Sequence, residues 1–321
     1  MKRIKLLIAI FLLLQLSGYK AAAQYYFYDN NSYNTPLMFE FGASAGVMNC
    51  LTDVGGKKGL GKPFVKDLNL GNNQLNGSIY FMATYKEAIS LRIEGTFGQV
   101  KAYDSILVNE KSTSQGRYQR NLSFRSKISE IALIAEFHPL FMFVEWALRD
   151  DKDPPRFSPY IAAGVGFFSF NPQAKARNGE YVDLEPLHTE GQGLSQYPER
   201  KPYKLSQINI PIGIGVRYEL SPSFNLRAEF LHRTLFTDYL DDVSTRYIDP
   251  SLYGLAGFGF TGRQLQNAQD LSSNQRTNTD TDKAIYRKTE GGIRGNPKNN
   301  DSYFTFNIKI GLLIGRESIR H

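Results

Sequence analysis

This chain is poor in the residues that most enzymes, disulfide scaffolds and helical membrane proteins depend on. It has one cysteine, Cys50, one tryptophan, Trp146, and four histidines in 321 residues. A single cysteine rules out an internal disulfide. Beyond residue 23 no apolar run approaches the ~20 residues that a membrane-spanning helix needs. His138, His188, His232 and His321 are scattered over a turn, a loop, a strand end and the terminus. H-E-x-x-H does not occur, so no zincin helix is present, and the one G-x-S-x-G match, GASAG at 42–46, lies inside an alternating strand pattern and not at a strand-to-helix turn, so it is no nucleophile elbow. His188, between Glu185 and Glu190, is the one loop histidine near carboxylates, and reads as a solvated or loop-packing residue. Asp238, Asp241 and Asp242 could offer hard oxygens to Ca²⁺, but their spacing matches no standard calcium loop. Hydrogen bonds that order the base of their loop are the better reading. The glycines of the GVG and GIG stretches fall inside strands, where they suit close packing or bending and not phosphate binding. We therefore expect no catalytic residue, no cofactor, no metal and no enzymatic activity.

What is present starts with the N-terminus. Lys2, Arg3 and Lys5 precede an apolar run over residues 6–16, and Ala21, Ala22 and Ala23 supply a small-residue cleavage site. The run is too short to span a bilayer, so residues 1–23 read as a secretory signal. Its removal takes Lys2, Arg3, Lys5 and Lys20 and lowers the formal charge from +7 to +3. That remainder gives no reason to expect a nucleic-acid partner. Residues 24–321 are enough for one large β domain, and only a closed barrel lets strands satisfy their backbone groups in lipid.

The stretch 207–220, QINIPIGIGVRYEL, shows the pattern that organises the rest. Ile208, Ile210, Ile212, Ile214, Val216, Tyr218 and Leu220 share one parity; the other holds polar residues, Pro211 and glycines. Side chains alternate along a strand, so one face is wholly apolar. The same alternation predicts strands over 37–48, 78–86, 89–97, 124–137, 160–170, 224–233 and 303–315. Residues 139–149, PLFMFVEWALR, read as a short amphipathic helix. Phe141, Phe143 and Trp146 suit either a membrane interface or packing under the barrel mouth. Turns at 86–88 and 221–223 are tight, whereas the loops after strands one, three, five and seven are long. That asymmetry marks a membrane barrel with short turns at one end and long external loops at the other. The connection 138–158 departs from it by being long.

The polar parities collect Glu40, Arg92, Glu94, Glu130, Glu136, Arg217, Glu219, Arg227, Glu229 and Lys309. A soluble barrel would turn these outward and pack the Phe and Ile face inside. Eight strands enclose only a narrow interior that side chains fill, so the bulky apolar face fits better outside, against lipid. The expected architecture is all-β: an eight-stranded antiparallel up-and-down transmembrane barrel, OmpA-like, in the outer membrane, with long extracellular loops. Its inward charges could line a water-filled path or form an ion-pair network. Eight strands leave almost no bore, which favours the network. Pairing of Arg217 and Glu219 with Arg227 and Glu229 across their hairpin is expected to neutralise part of it. Ile134 breaks the polar parity, so the inside is not uniformly wet.

Three segments carry a family resemblance: FNPQAKARNGEYVDLEPLHTEGQG (170–193), RTLFTDYLDDVSTRY (233–247) and SYFTFNIKIGLLIGR (302–316). In these the chain resembles small outer-membrane barrels of the PorG type, associated with the type IX secretion system and, in some bacteria, gliding. The resemblance implies an accessory barrel that touches a periplasmic ring of a lipoprotein and its partner protein, and it supplies no catalytic residue. The long fourth connection, with Asp150, Asp151, Lys152, Asp153 and Arg156, is the expected docking surface. A barrel whose loops, chiefly 237–302, hold an external ligand is the alternative, and a narrow channel or membrane enzyme comes third.

Overall fold

The computed structural model describes residues 36–55, 70–107, 118, 120–144, 155–254, 257–273 and 290–315. The leader, Trp146 and Asp150, Asp151, Lys152 and Asp153 lie outside them. Among the described residues nine strands form: β1 (Leu37–Leu51), β2 (Gln74–Tyr85), β3 (Ile89–Tyr103), β4 (Ser123–Phe137), β5 (Phe157–Lys175), β6 (Tyr181–Asp183), β7 (Ser206–Ser221), β8 (Phe224–Leu235) and β9 (Ser302–Ile314). Each pairs antiparallel with its neighbours in the order β4-β3-β2-β1-β9-β8-β7-β5, and β4 pairs again with β5. The sheet therefore closes on itself as an eight-stranded barrel. β6 is a three-residue extension on the end of β5 and no part of the closed wall.

The side-chain alternation sorts as the sequence requires. Ile208, Ile212, Ile214, Tyr218 and Leu220 of β7 face outward and are exposed, while Asn209, Arg217 and Glu219 face inward and are buried. The same outward belt runs round the wall through Phe41, Phe81, Leu91, Ile131, Val165, Phe230 and Ile310. On β9 it extends from Phe306 to Ile314. That is about 27 Å along the strand and a little over 20 Å at the usual tilt, close to the ~25 Å apolar band of membrane barrels. A continuous apolar belt of this size is not tolerated in water, so the wall is membrane-spanning.

Several strands run further than alternation of the outward face suggests. β1 continues to Leu51, β2 begins at Gln74, β3 reaches Tyr103 and β5 reaches Lys175. Beyond the belt the outward positions turn polar, as at Gln99, Lys101, Asn171 and Gln173. Their inward neighbours Val100, Ala102, Phe170 and Ala174 stay apolar and buried. The strands persist there because something other than lipid covers them. Of the helix expected over 139–149, residues 145–149 lie outside the described residues; within 139–144, α1 (Pro139–Met142) is one turn, with Pro139 in its first turn and none of its residues buried. Phe141 lies beneath the Arg217 guanidinium, 5.3 Å from ring centre to carbon, under the barrel mouth. Phe143 is exposed.

The belt generates a direct test. Ile212→Arg places a charge in the middle of the outward face of β7. It should lower unfolding stability in lipid vesicles by about 2–4 kcal/mol, read from a denaturant titration. A loss below about 0.5 kcal/mol, the scale of an ordinary surface change, would mean that this face does not meet lipid.

Candidate functional site

The ten inward charges all lie within the barrel, none more than 4 % exposed. Their pairing differs from the expected hairpin contacts. Across the β7–β8 hairpin Arg217 stands opposite Arg227, Glu219 opposite Asn225 and Gly215 opposite Glu229. Arg227 in turn stands opposite Lys309 on β9. Like charges thus sit side by side along the β7–β9 wall, which is unfavourable unless anions reach them from elsewhere. They come from other strands and a turn: Glu40 on β1, Glu94 on β3 and Glu136 on β4 reach Arg227 and Lys309, and Glu87, between β2 and β3, reaches Arg217.

Arg227 forks onto Glu40 through Nε and Nη2, at 3.0 and 2.9 Å, and reaches Glu136 Oε2 at 2.8 Å. Arg92 contacts Glu94 at 2.9 Å, Glu229 at 2.8 Å and Glu136. Lys309 Nζ bonds both oxygens of Glu94, at 2.6 and 2.7 Å, and Glu229 at 2.9 Å. The remaining lone pairs are taken by Tyr80 and Asn225 on Glu40, Tyr160 on Glu229 and Ser78 on Glu94. Glycines on neighbouring strands make room for the two tyrosines. A Cβ at Gly42 would fall 2.5 Å from the Tyr80 ring, and one at Gly215 would collide with Tyr160. Such saturation is what makes buried charges tolerable.

Layers lie on either side of this cluster. Toward the short-turn end, Arg217 pairs with Glu87 at 2.5 Å, and His138 approaches Glu136 at 3.4 Å and Ser158 at 3.0 Å. Toward the long-loop end, Arg233 and Asn209 hold Glu130. Ile134, Ala132, Ala162 and Leu231 form a small apolar patch beside Tyr160, so the break in parity at Ile134 has a packing role.

Above the lumen the long loops fold into a cap with its own core, which includes Leu187, Leu194, Leu240, Val243, Ile248, Tyr253 and Leu271 and is continuous with Met48, Ile128 and Phe168 in the barrel. Helix α2 (Gly262–Ser272) contributes Ala268 and Leu271. Buried ionic hubs join the loops. Glu190 accepts the Ser244 and Thr245 amides at 3.0 and 2.9 Å, the Thr245 hydroxyl at 2.6 Å and Arg294 at 2.8 Å. Arg120 clasps Asp104 with two bonds and donates to the Arg294 and Asp53 carbonyls at 2.6 and 2.7 Å. No local signal marks these hubs, since Arg294 lies 104 residues from Glu190 and 174 from Arg120.

Two of the three aspartates of TDYLDD serve the same end, while neither carboxylate oxygen of Asp238 is hydrogen-bonded among the described residues. Asp241 accepts the Val54 and Val243 amides, and Asp242 the Thr189 and Tyr203 hydroxyls. Among the described residues no three His, Cys, Asp or Glu side chains converge as metal ligands do. Burial, then the charge of Asp53 and Asp241, pushes Asp238 up to about 9. Burial and Asp53 push Asp241 up to about 8. Asp301 is raised by the same crowding. His188 is stacked on Phe258, 4.8 Å between ring centres, as a loop-packing residue, and burial lowers its pKa. Of the expected docking residues only Arg156 is described. It is exposed at the short-turn end, and its carbonyl accepts the Glu219 amide at 2.9 Å.

With the geometry established, comparison with other proteins gives a family. The family model described as "Domain of unknown function (DUF6089)" matches residues 27–253. The chain belongs to the DUF6089 family. The matched region takes in β1 to β8 and the first part of the cap, while β9, which completes the DUF6089 barrel here, lies beyond it. No curated protein matches the sequence. Among solved structures, the Neisserial surface protein A is 9 % identical, with 85 % of this chain and 96 % of that one aligned and a TM-score of 0.37. The Escherichia coli outer membrane protein W is 12 % identical, at 88 % and 100 % coverage and a TM-score of 0.34. The Pseudomonas aeruginosa outer membrane protein OprG is 8 % identical, at 87 % and 96 % coverage and a TM-score of 0.33. The strand count and closure of the DUF6089 chain rest on its own hydrogen-bond register.

Two measurements probe this arrangement. The central cluster holds four carboxylates against three cations, so losing a cation should cost more than losing an anion. Arg227→Met should destabilise the barrel by about 3–5 kcal/mol and Glu136→Gln by less than half of that, in urea titrations. Equal losses would show that the charge imbalance is immaterial. The second concerns the cap. Aspartates whose pKa rises on folding add stability that is complete below about pH 4. It declines as pH rises and is lost above pH 8–9. The rate of proteolytic cleavage within the cap, corrected for protease activity, should therefore climb between pH 6 and pH 9. Asp238→Asn should flatten that climb, and an unchanged pH profile would refute the assignment.

Proposed function

We propose that this chain is an outer-membrane barrel that acts as a non-enzymatic, structural part of a type IX protein secretion (gliding) machinery. The observation that carries the structural reading is the filled lumen: Arg92, Arg227 and Lys309 lock four carboxylates across the barrel, whose eight strands enclose little more than side chains. A barrel so filled acts through its two ends. The resemblance to PorG-type barrels supplies the secretion role and directs the short-turn end, in the periplasm, to a ring of a lipoprotein and its partner protein. Arg156 and the neighbouring Asp150, Asp151, Lys152 and Asp153 form the docking segment in this reading. Cross-linking in native membranes, with and without deletion of residues 150–155, tests it. Loss of ring capture with the barrel still inserted is the expected result. Unchanged capture would remove the docking assignment, and capture of no secretion component by the intact chain would remove the role.

One observation favours a second reading, in which the long-loop end holds an external partner. The loops form a buried core with ionic hubs, which a mere tether between strands does not need. Binding that survives deletion of residues 150–155 and is lost on shortening the 237–302 loop would select this reading.

A further inference from the structure

On the outer wall, just past the apolar belt at the long-loop end, three cations share one patch. Lys101 on β3 stands directly opposite Arg125 on β4, and Lys127 lies two residues further along β4 on the same outward face. Direct cross-strand neighbours have Cβ atoms about 5 Å apart, and like charges there repel. Among the described residues no carboxylate forms an ion pair with any of the three. Arg125 donates to Gln173 at 3.1 Å and lies flat on Tyr181, 3.3 Å from its ring centre. Asp183, opposite Gln173 on β6, is engaged by the amides of Asn171 and Gln173 at 2.9 and 2.7 Å. Below the patch the belt begins at once, with Phe97, Ile131 and Phe167 exposed.

The wall is therefore apolar up to a line and triply cationic immediately above it. Two strand spacings along, about 10 Å, an open groove between Phe167, Ile208 and Phe236 carries Lys204 at its edge. We infer that Lys101, Arg125 and Lys127 bind the phosphate of a phosphorylated glycolipid in the leaflet at the long-loop end, with an acyl chain laid along the adjoining groove. A phosphate at that depth meets the three cations just above the belt, and it relieves their mutual repulsion. The Arg125 fork, held by Gln173 and Tyr181, is preset for two phosphate oxygens, while the lysines add point charges. The inference rests on the membrane embedding proposed above and not on the secretion role, so a failed ring capture leaves it standing.

The full-length barrel, refolded in detergent, would be offered diphosphorylated lipid A or the same lipid stripped of its phosphates. Retained lipid would then be counted by native mass spectrometry. The phosphorylated form should be retained selectively, and Lys101→Gln/Arg125→Gln/Lys127→Gln should lose roughly a hundredfold in affinity, from about fivefold per basic residue. The heat-dependent gel shift of a closed barrel checks that the variant folds. Lys86→Gln, at the short-turn end, should retain lipid like the parent. Equal retention of both lipids, an unchanged triple variant, or the same loss in Lys86→Gln would each overturn the assignment. Displacement by 10 mM inorganic phosphate, on the order of a strong competitor for a bare anion site, would mean that the patch takes a soluble anion and not a lipid.

Discussion

Charge pairing across a closed lumen is the constraint on which the rest of this structure depends. Arg217, Arg227 and Lys309 lie in register on three adjacent strands, so none can be neutralised by the residue beside it. Glu40 on β1 and Glu94 on β3 reach Arg227 and Lys309 from strands two and three places away, whereas Glu136 on β4 is brought to Arg227 when β4 meets β5. Closure thus completes the neutralisation. An open sheet would leave several buried or half-buried charges without partners, each costing several kcal/mol on the order expected for an uncompensated ion. The apolar exterior does not distinguish a closed from a nearly closed sheet, because lipid wets either. The ionic interior does.

The same constraint accounts for how the barrel is stratified. The middle of the lumen is ionic and densely hydrogen-bonded, the short-turn end is stoppered by Arg217, Glu87 and Phe141, and the long-loop end grades into an apolar core. The strands that outrun the lipid belt, chiefly β3 and β5, do so to carry that core upward. Their outward faces leave the hydrocarbon and become polar, while their inward faces stay greasy under the cap. One strand thus answers to two environments in succession.

The cap has a different economy from the barrel. Its hubs join loops that are far apart in sequence, and its carboxylates outnumber the buried cations that meet them. Asp238, Asp241 and Asp301 are crowded enough to hold protons at pH values where an exposed aspartate has none. Loops pinned by such groups form a defined surface. The barrel therefore carries a folded cap above a lumen that side chains fill.

The period-two alternation of segments such as 207–220 is local, and from it the sequence alone determined eight wall strands, the outward direction of their apolar parity and the ten charges that turn inward. Turn length likewise separated the two ends. Partner choice was largely not legible, because apart from Arg92–Glu94 on one strand the contacts of Arg92, Arg227 and Lys309 span 44 to 215 residues. A hairpin-based reading pairs Arg217 and Glu219 with Arg227 and Glu229, and register places like beside like instead. The cap was equally hidden: its loops read as polar and Gly-rich, and Glu190, Arg294 and Arg120 acquire meaning only when four connections pack together. Alternation fixes which way each side chain points; tertiary structure decides what it meets there.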